Sequence, residues 1–110
     1  MYGALYLASS KLSANLYFAG EDAKQMASEG LDNGEYEFGG QIEVAEMLSV
    51  EEYGNDVELI ADEIFDLTNN PSRQEEREEK YGRGRSMTVG DIVRVGNTMV
   101  LCVSCGWEKL

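Results

Sequence analysis

The sequence contains no histidine, one proline and two cysteines. Without an imidazole, the chain cannot form a Ser-His-Asp or Cys-His catalytic unit or a zinc site that uses histidine. Two thiols are also too few for a tetrahedral zinc site within one chain. Because no pair of nucleophile and base can be named, we expect a protein that is not an enzyme and that carries no metal or cofactor.

Long hydrophobic runs are absent as well. No uninterrupted apolar stretch approaches the roughly 20 residues that a membrane-spanning helix needs. Met1 is followed by an aromatic and aliphatic segment without the basic region of a signal peptide. We therefore expect a cytoplasmic protein that makes no contact with a membrane.

Basic residues are scarce: 9 stand against 21 acidic residues, giving a formal net charge of -12. Residues 12–70 carry 15 of the acids and a single base, Lys24, whereas residues 71–110 carry 6 acids and 7 bases. A negative surface repels phosphate, so we expect poor binding to nucleic acids and a better match to basic protein surfaces. Solubility and salt adaptation are the alternative explanations, although salt adaptation predicts acids throughout the chain.

The remaining composition, with 43% hydrophobic and 9% aromatic residues, is enough for the core of a single domain over residues 1–110. Hydrophobic patterning and turn residues predict short elements in the first half. These are a strand at Tyr2–Leu7, a connection at Ser9–Ser13, a strand at Asn15–Ala19, a helix at Glu21–Glu29 stopped by Gly30, a strand at Glu35–Phe38, a bulge or hairpin corner at Gly39–Gly40, and helical turns at Ala45–Tyr53.

The clearest local pattern is a helix over residues 56–69. Asn55 provides an N-cap, and Pro71 prevents the helix from continuing. Apolar residues recur at helical spacing on one side, and three carboxylates, Glu58, Asp62 and Asp66, recur every four residues on the other. Ser72–Lys80 is rich in charge and is predicted to be an exposed loop or a frayed extension of this helix.

Two β-branched segments near the C-terminus, Ile92–Val95 and Thr98–Val103, flank Gly96–Asn97, a natural hairpin turn. The sequence therefore predicts an α+β fold. In this fold, a mixed or antiparallel sheet that includes the C-terminal hairpin packs against the main helix at 56–69 and the shorter helix at 21–29.

The segment from Ser86 to Asp91 has a physical role that its residues suggest directly. Ser86 can cap a single helical turn, and Met87 and Val89 can point inward. Gly90 permits a positive φ, and Asp91 can accept hydrogen bonds from nearby backbone amides. These features indicate a turn that leads the chain into a strand, which is a structural role.

A wider pattern contains that turn: Ile64-Phe65, Asn69-Asn70-Pro71, the segment Gly84–Val93 and a hairpin that ends in Ser104-Cys-Gly106-Trp107. It resembles the YodL-like domain over about residues 56–110, and the turn is also similar to one in PUA-like and ASCH barrels. The YodL-like resemblance implies an accessory role in phages, plasmids or integrative elements and implies no reaction. Val103 and Cys105 depart from the family, which usually has an aspartate and an aromatic residue there.

The cysteines form a Cys102-Val-Ser-Cys105 motif. A redox pair needs its first thiol at a helix N-terminus, whereas this pair follows a β-branched stretch. A zinc site would need two such pairs bridged across a dimer. We interpret the cysteines as small buried hydrophobic residues.

The leading hypothesis is an acidic accessory protein of phage or plasmid type that binds a host protein with a basic cleft. It would act as a nucleic-acid mimic that inhibits a defence enzyme. The carboxylates assigned to this negative face are Glu51, Glu52, Glu58, Asp62, Glu63 and Asp66. The alternative is a PUA-like module that binds nucleic acid through Arg83, Arg85 and Arg94.

Overall fold

The structure is a computed structural model that describes residues 2–44, 57–82, 84–104 and 106–110. The strands in these ranges form one antiparallel sheet in the order β2-β1-β3-β4-β5. Their bounds are β1 Tyr2–Ala8, β2 Tyr36–Glu43, β3 Ile92–Val95, β4 Thr98–Val103 and β5 Gly106–Lys109. The fold is α+β, and the predicted C-terminal hairpin is confirmed.

Helices cover both faces of this sheet. They are α1 Ser10–Tyr17, α2 Ala23–Asp32, α3 Val57–Asn69 and α4 Gln74–Lys80, with 3-10 turns at Gly20–Asp22 and Pro71–Arg73. One core lies between α3 and the sheet and contains Leu5, Ile64 and Val93. The other lies between the sheet and the α1–α2 pair and contains Leu16 and Ile92. The two cores together bury apolar residues from alternating positions of the strands, as the pleat of a sheet requires.

A β-bulge in β2 allows that strand to contribute to both cores. The register of β1 and β2 shifts between Leu5, which pairs with Gly40, and Tyr6, which pairs with Phe38. Gly39 is the extra residue, so of the two predicted alternatives at these glycines, a bulge or a hairpin corner, the structure has the bulge. Because a bulge reverses the alternation of side chains, Ile42 reaches the α3 core although Tyr36 packs on the α1–α2 side.

The main helix is confirmed from Val57 to Asn69, where it buries Ile60, Ala61, Ile64, Leu67 and Thr68. Its predicted first residue and N-cap, together with the helical turns at 45–53, lie outside the described residues. The short helix is present but ends later than expected. Gly30 lies within α2 rather than ending it, and a Cβ atom there would come within 2.6 Å of Leu12 Cδ2. The glycine therefore permits close packing of α1 against α2.

Two predictions for the first half were wrong. Most of the residues assigned to a connection and a second strand lie instead in α1, Ser10–Tyr17. Ser9 is its N-cap and accepts a hydrogen bond from the Leu12 amide, and the buried Leu12 and Leu16 lie one turn apart. The aromatic residues Tyr17 and Phe18 suggested a strand, but both are exposed at the end of the helix.

The later segments also differ from the prediction. Gln74–Lys80 is a separate helix, α4, with acids in its first turn and bases in its last, an arrangement that favours the helix dipole. Ser86 caps no helical turn, because residues 86–88 are not helical; its hydroxyl donates to the Thr68 carbonyl at 2.7 Å and accepts from Arg77 Nη1 at 3.0 Å. No pattern in the sequence predicted β5, which begins at Gly106, a residue with a φ of 106°.

Candidate functional site

The carboxylates of Glu58, Asp62 and Asp66, which we call the acidic ridge, lie exposed along the solvent side of α3. Residues four apart on a helix are separated by about 6 Å, so the three form a row. Glu63 lies half-buried beside them. Glu51 and Glu52, which were predicted to belong to the same face, lie outside the described residues.

Arg73 binds carboxylates beside one end of the ridge. Its Nη1 donates to Glu63 and, at 2.9 Å, to Asp66, while its Nε donates to Glu76 at 2.8 Å. The hydrogen bond to Arg73, supported by Lys80, lowers the pKa of Glu76 below its ordinary value. Part of the negative charge at this end is therefore compensated within the protein.

Asp62, in the middle of the ridge, accepts a hydrogen bond from Trp107. The indole Nε1 donates to Asp62 Oδ1 at 2.6 Å. The indole also packs edge to face against Phe65, with ring centroids 6.4 Å apart and planes at 85°. This contact joins α3 to β5 and holds the ridge against the edge of the sheet.

Other carboxylates lie on the opposite side of the sheet from α3. Glu21, Asp22, Glu29 and Asp32 are all exposed in or beside α2. The acidic block of the sequence is therefore distributed over both sides of the fold. The acidic ridge is one part of this negative surface and does not account for all of it.

Arg85, a residue of the alternative hypothesis, forms an ion pair with Asp91. Each of its two Nη atoms lies 2.7 Å from one carboxylate oxygen of Asp91. The same two atoms also donate to the carbonyls of Ser86 and Ala8, at 3.0 and 2.8 Å. Together, these contacts occupy all four Nη hydrogens, and the hydrogen bonds to Asp91 raise the pKa of Arg85.

Arg94 lies elsewhere on the sheet. It is exposed on β3, where it pairs in register with Ala4 of β1. Arg85 instead binds the carbonyl of Ala8, at the end of β1. Four residues of β-strand correspond to about 13 Å. The structure therefore does not bring these two arginines together, and Arg83 lies outside the described residues.

The turn before β3 joins three parts of the fold through Asp91, whose side chain has no exposed surface. Its carboxylate accepts hydrogen bonds from the amides of Ala8 at 2.8 Å and Thr88 at 2.9 Å. Gly90 has the expected positive φ, at 99°, and Met87 is buried. The predicted hydrogen bonds from backbone amides to Asp91 are therefore present, and the turn also holds the end of β1.

The end of α3 is attached to this same turn. Asn69 donates to the Met87 carbonyl at 3.1 Å, and the Met87 amide donates to the Thr68 hydroxyl at 3.1 Å. Arg77 adds hydrogen bonds of 2.5 Å to the carbonyls of Thr68 and Gly84. Asn69, Arg77 and Met87 therefore hold the end of a helix and the turn before a strand together.

Cys102 lies buried in the core beneath α3, and Cys105 lies outside the described residues. Burial, with smaller contributions from Asp91 and Asp62, raises the pKa of the Cys102 thiol to about 12. Within the described ranges, no cluster of three or more cysteine or acidic side chains is arranged to hold a metal ion.

A cleft of about 630 Å³ opens where β1 ends and β2 begins. Ser9, Ser10, Glu35, Glu37 and Phe38 contribute to one part of its lining, and Tyr81, Gly84 and Arg85 contribute to another. No local pattern in the sequence predicts this cleft, because residues almost 80 positions apart form it. One local signal for the cleft was present at residue 9, because serine commonly caps the N-terminus of a helix.

No family model matches this chain, and neither the curated proteins nor the solved structures include a match. The YodL-like resemblance thus remains a prediction. In the part of the chain that the structure describes, no helix is both long and apolar enough to cross a membrane.

Proposed function

We propose that this chain is a nonenzymatic protein that binds a basic cleft of a host protein through the acidic ridge. The exposed row of Glu58, Asp62 and Asp66 on α3 is the observation that carries this proposal. In its sharpest form, the row occupies a cleft that otherwise holds nucleic acid, and the target is a defence enzyme. The resemblance to the YodL-like domain motivates an accessory role in a phage or plasmid, acting in the cytoplasm.

The neighbouring helix supports the choice of this surface. Glu75, Glu78 and Glu79 are exposed on α4 and extend the negative charge beyond the ridge. Arg77, on the same helix, donates to the carbonyls of Thr68 and Gly84 and so holds its charge against the protein. A negative surface of this kind accelerates association with a positive cleft and makes the association sensitive to salt.

The alternative, nucleic-acid binding through Arg83, Arg85 and Arg94, has less support. A guanidinium recognises phosphate by donating hydrogen bonds, and four of its five donor hydrogens are on its Nη atoms. Those of Arg85 already donate to Asp91 and to two backbone carbonyls. Nucleic acid would also have to approach a protein with a net charge of -12.

The test is affinity capture from a host lysate at low salt and at roughly 0.5 M salt, where exposed charges are screened. We expect captured proteins to have basic clefts, to dissociate at high salt, and to lose their own nucleic-acid binding when the chain is added. Capture that persists unchanged at high salt, with partners that lack basic clefts, would contradict the proposal.

Two double variants distinguish the effect of the acidic ridge on partner capture from the effect of net charge. Asp62→Asn with Asp66→Asn changes the ridge, and Asp22→Asn with Asp32→Asn removes the same charge on the opposite side of the sheet. Asparagine retains an oxygen that can accept the Trp107 hydrogen bond. We expect only the ridge variant to lose partner capture; equal losses would mean that general negative charge, and not this surface, determines binding.

A further inference from the structure

The cleft at the end of β1 offers a binding site whose chemistry can be deduced from its lining. Its volume of about 630 Å³ lies within the range of small-molecule and side-chain sites. It brings together carboxylates, aromatic rings and backbone from three parts of the chain. Leu7 and Tyr81, which line it, also pack against the core beneath α3.

Negative charge in the cleft comes from Glu35 and Glu37. Ser9 donates a hydrogen bond of 2.6 Å to Glu35 Oε2, which holds this carboxylate beside the N-terminus of α1. Glu37 is exposed on β2. Among the lining residues that the structure describes, the cation is Arg85, which is paired with the buried Asp91, so this described lining is negative overall.

This arrangement disfavours an anionic ligand. The Nη hydrogens of Arg85 donate to protein oxygens, so a phosphate or carboxylate would have to displace Asp91 or a backbone carbonyl to bind them. At the N-terminus of α1, the Ser9 hydroxyl already accepts from the Leu12 amide, and Glu35 lies next to it. A cation can instead bind the carboxylates of Glu35 and Glu37, although Arg77 already lies 5.7 Å from the ring centroid of Tyr81.

Aromatic rings make the site suitable for a planar cation. Phe38 is 57% exposed, and both Phe38 and Tyr81 line the cleft. Tyr81 is fixed by the hydrogen bond of 2.7 Å that its hydroxyl donates to the Arg85 carbonyl. A guanidinium can stack on such rings while donating hydrogen bonds to carboxylates, which an ammonium does less well.

We propose that this cleft binds an arginine side chain of the protein partner, with Glu37 and Glu35 as acceptors and the rings of Phe38 and Tyr81 as stacking surfaces. The inference rests on the proposed function, since it supplies an anchor for a basic partner. It also names a site that is separate from the acidic ridge.

The direct test uses N-acetyl-arginine amide as the probe and N-acetyl-citrulline amide as its neutral analogue of nearly the same shape. Titrations are followed through the amide NMR signals of Gly34, Gly39 and Gly84, which lie in the lining. We expect the arginine probe to shift these signals with a Kd of about 1 mM. The citrulline probe should bind at least about tenfold more weakly.

Variants with matched controls test whether the residues that line the cleft bind the arginine probe. Glu37→Gln should weaken binding of the arginine probe by about fivefold or more. Glu43→Gln, which removes the same charge at the other end of β2, should leave it unchanged. Ser10→Trp, which fills the cleft without changing charge, should abolish binding. Equal binding of the two probes, or equal effects of Glu37→Gln and Glu43→Gln, would overturn the proposal.

The proposal for the acidic ridge and the proposal for the cleft can be refuted independently of each other. The Asp62→Asn and Asp66→Asn variant leaves every lining residue of the cleft in place, so we expect it to bind the arginine probe normally. Loss of partner capture with normal probe binding is the expected result for this variant. Absence of probe binding to the unmodified chain would refute the cleft even if the ridge captures a partner.

Discussion

The guanidinium of Arg85 donates a hydrogen bond of 2.7 Å to each carboxylate oxygen of Asp91. Asp91 has no exposed surface, whereas the side chain of Arg85 is 40% exposed. The pair links the turn before β3 to the end of β1, because both residues also bind the backbone of Ala8. This relationship gives Arg85 a structural role, because its Nη atoms donate to Asp91 and to the carbonyls of Ser86 and Ala8.

Replacing Arg85 with alanine should destabilise the fold strongly. The variant leaves a buried carboxylate without its cation, so we expect the free energy of unfolding to fall by about 3 kcal/mol. Urea denaturation followed by circular dichroism measures this loss. Arg94→Ala, at an exposed position, is the control and should change the free energy of unfolding by less than about 0.5 kcal/mol. Equal losses for the two variants would refute the structural role.

Replacing Gly90 with alanine should also destabilise the protein. Its φ of 99° is unfavourable for a residue with a side chain, and a Cβ would lie 3.0 Å from Leu16 Cδ1 and 3.3 Å from Ser13 Cα. We expect a loss of about 2 kcal/mol in thermal or urea unfolding. Gly96→Asn should cost less than about 1 kcal/mol, because nothing lies within 4 Å and asparagine tolerates a φ of 61°.

The hydrogen bond from Trp107 to Asp62 can be observed directly, because the chain has a single tryptophan. Asp62→Ala removes the acceptor, so the indole N–H signal in the proton NMR spectrum should move upfield and exchange faster with solvent. Asp62→Asn should retain most of the native shift, since its amide oxygen can still accept. Identical spectra for Asp62→Ala and the unmodified chain would show that the bond is absent in solution.

The Cys102 thiol should be unreactive in the folded protein. Only the thiolate attacks thiol reagents, and burial raises the pKa of this thiol to about 12. In a Cys105→Ser chain, which has Cys102 as its remaining thiol, labelling at pH 8 should be at least about a hundredfold slower than in urea-unfolded chain. Rapid labelling of the native protein would contradict the buried placement.

The same pKa predicts how stability depends on pH. The unfolded chain releases the Cys102 proton above its ordinary pKa of 9.0, whereas the folded protein retains it up to about 12. The contribution to stability is therefore complete below pH 9 and is lost as pH rises towards 12, at up to about 1.4 kcal/mol per pH unit. Two chains are compared, Cys105→Ser and Cys105→Ser with Cys102→Ala. Between pH 8, 9 and 10, the midpoint of urea unfolding should fall less steeply for the chain that lacks Cys102.

Local patterns predicted those parts of the fold whose signals are contained within a few residues. The helix that ends at Asn69 follows from its apolar spacing and from Pro71, and the hairpin follows from Gly96–Asn97 between two β-branched segments. Near the N-terminus, the aromatic residues at 17 and 18 indicated a strand. The Ser9 cap and the burial of Leu12 and Leu16 against α2 instead favour a helix.

In the candidate site, too, some features follow from local sequence and others depend on distant residues. The row of Glu58, Asp62 and Asp66 is a property of helical periodicity, so the sequence alone placed these residues on one line. Their environment depends on distant residues: Trp107 reaches Asp62 from β5, and Arg73 reaches Asp66 after a turn. Neither contact follows from spacing along the chain.

The sequence by itself determined the charge of this protein, the absence of imidazole chemistry, the main helix and the C-terminal hairpin, because each depends on composition or on neighbours within one or two turns. Only the tertiary structure decided that Arg85 is paired with Asp91, that the carboxylates occupy both sides of the sheet, and that residues 9 and 85 line one cleft. The strand order β2-β1-β3 sets these relationships by bringing the first and last thirds of the chain together.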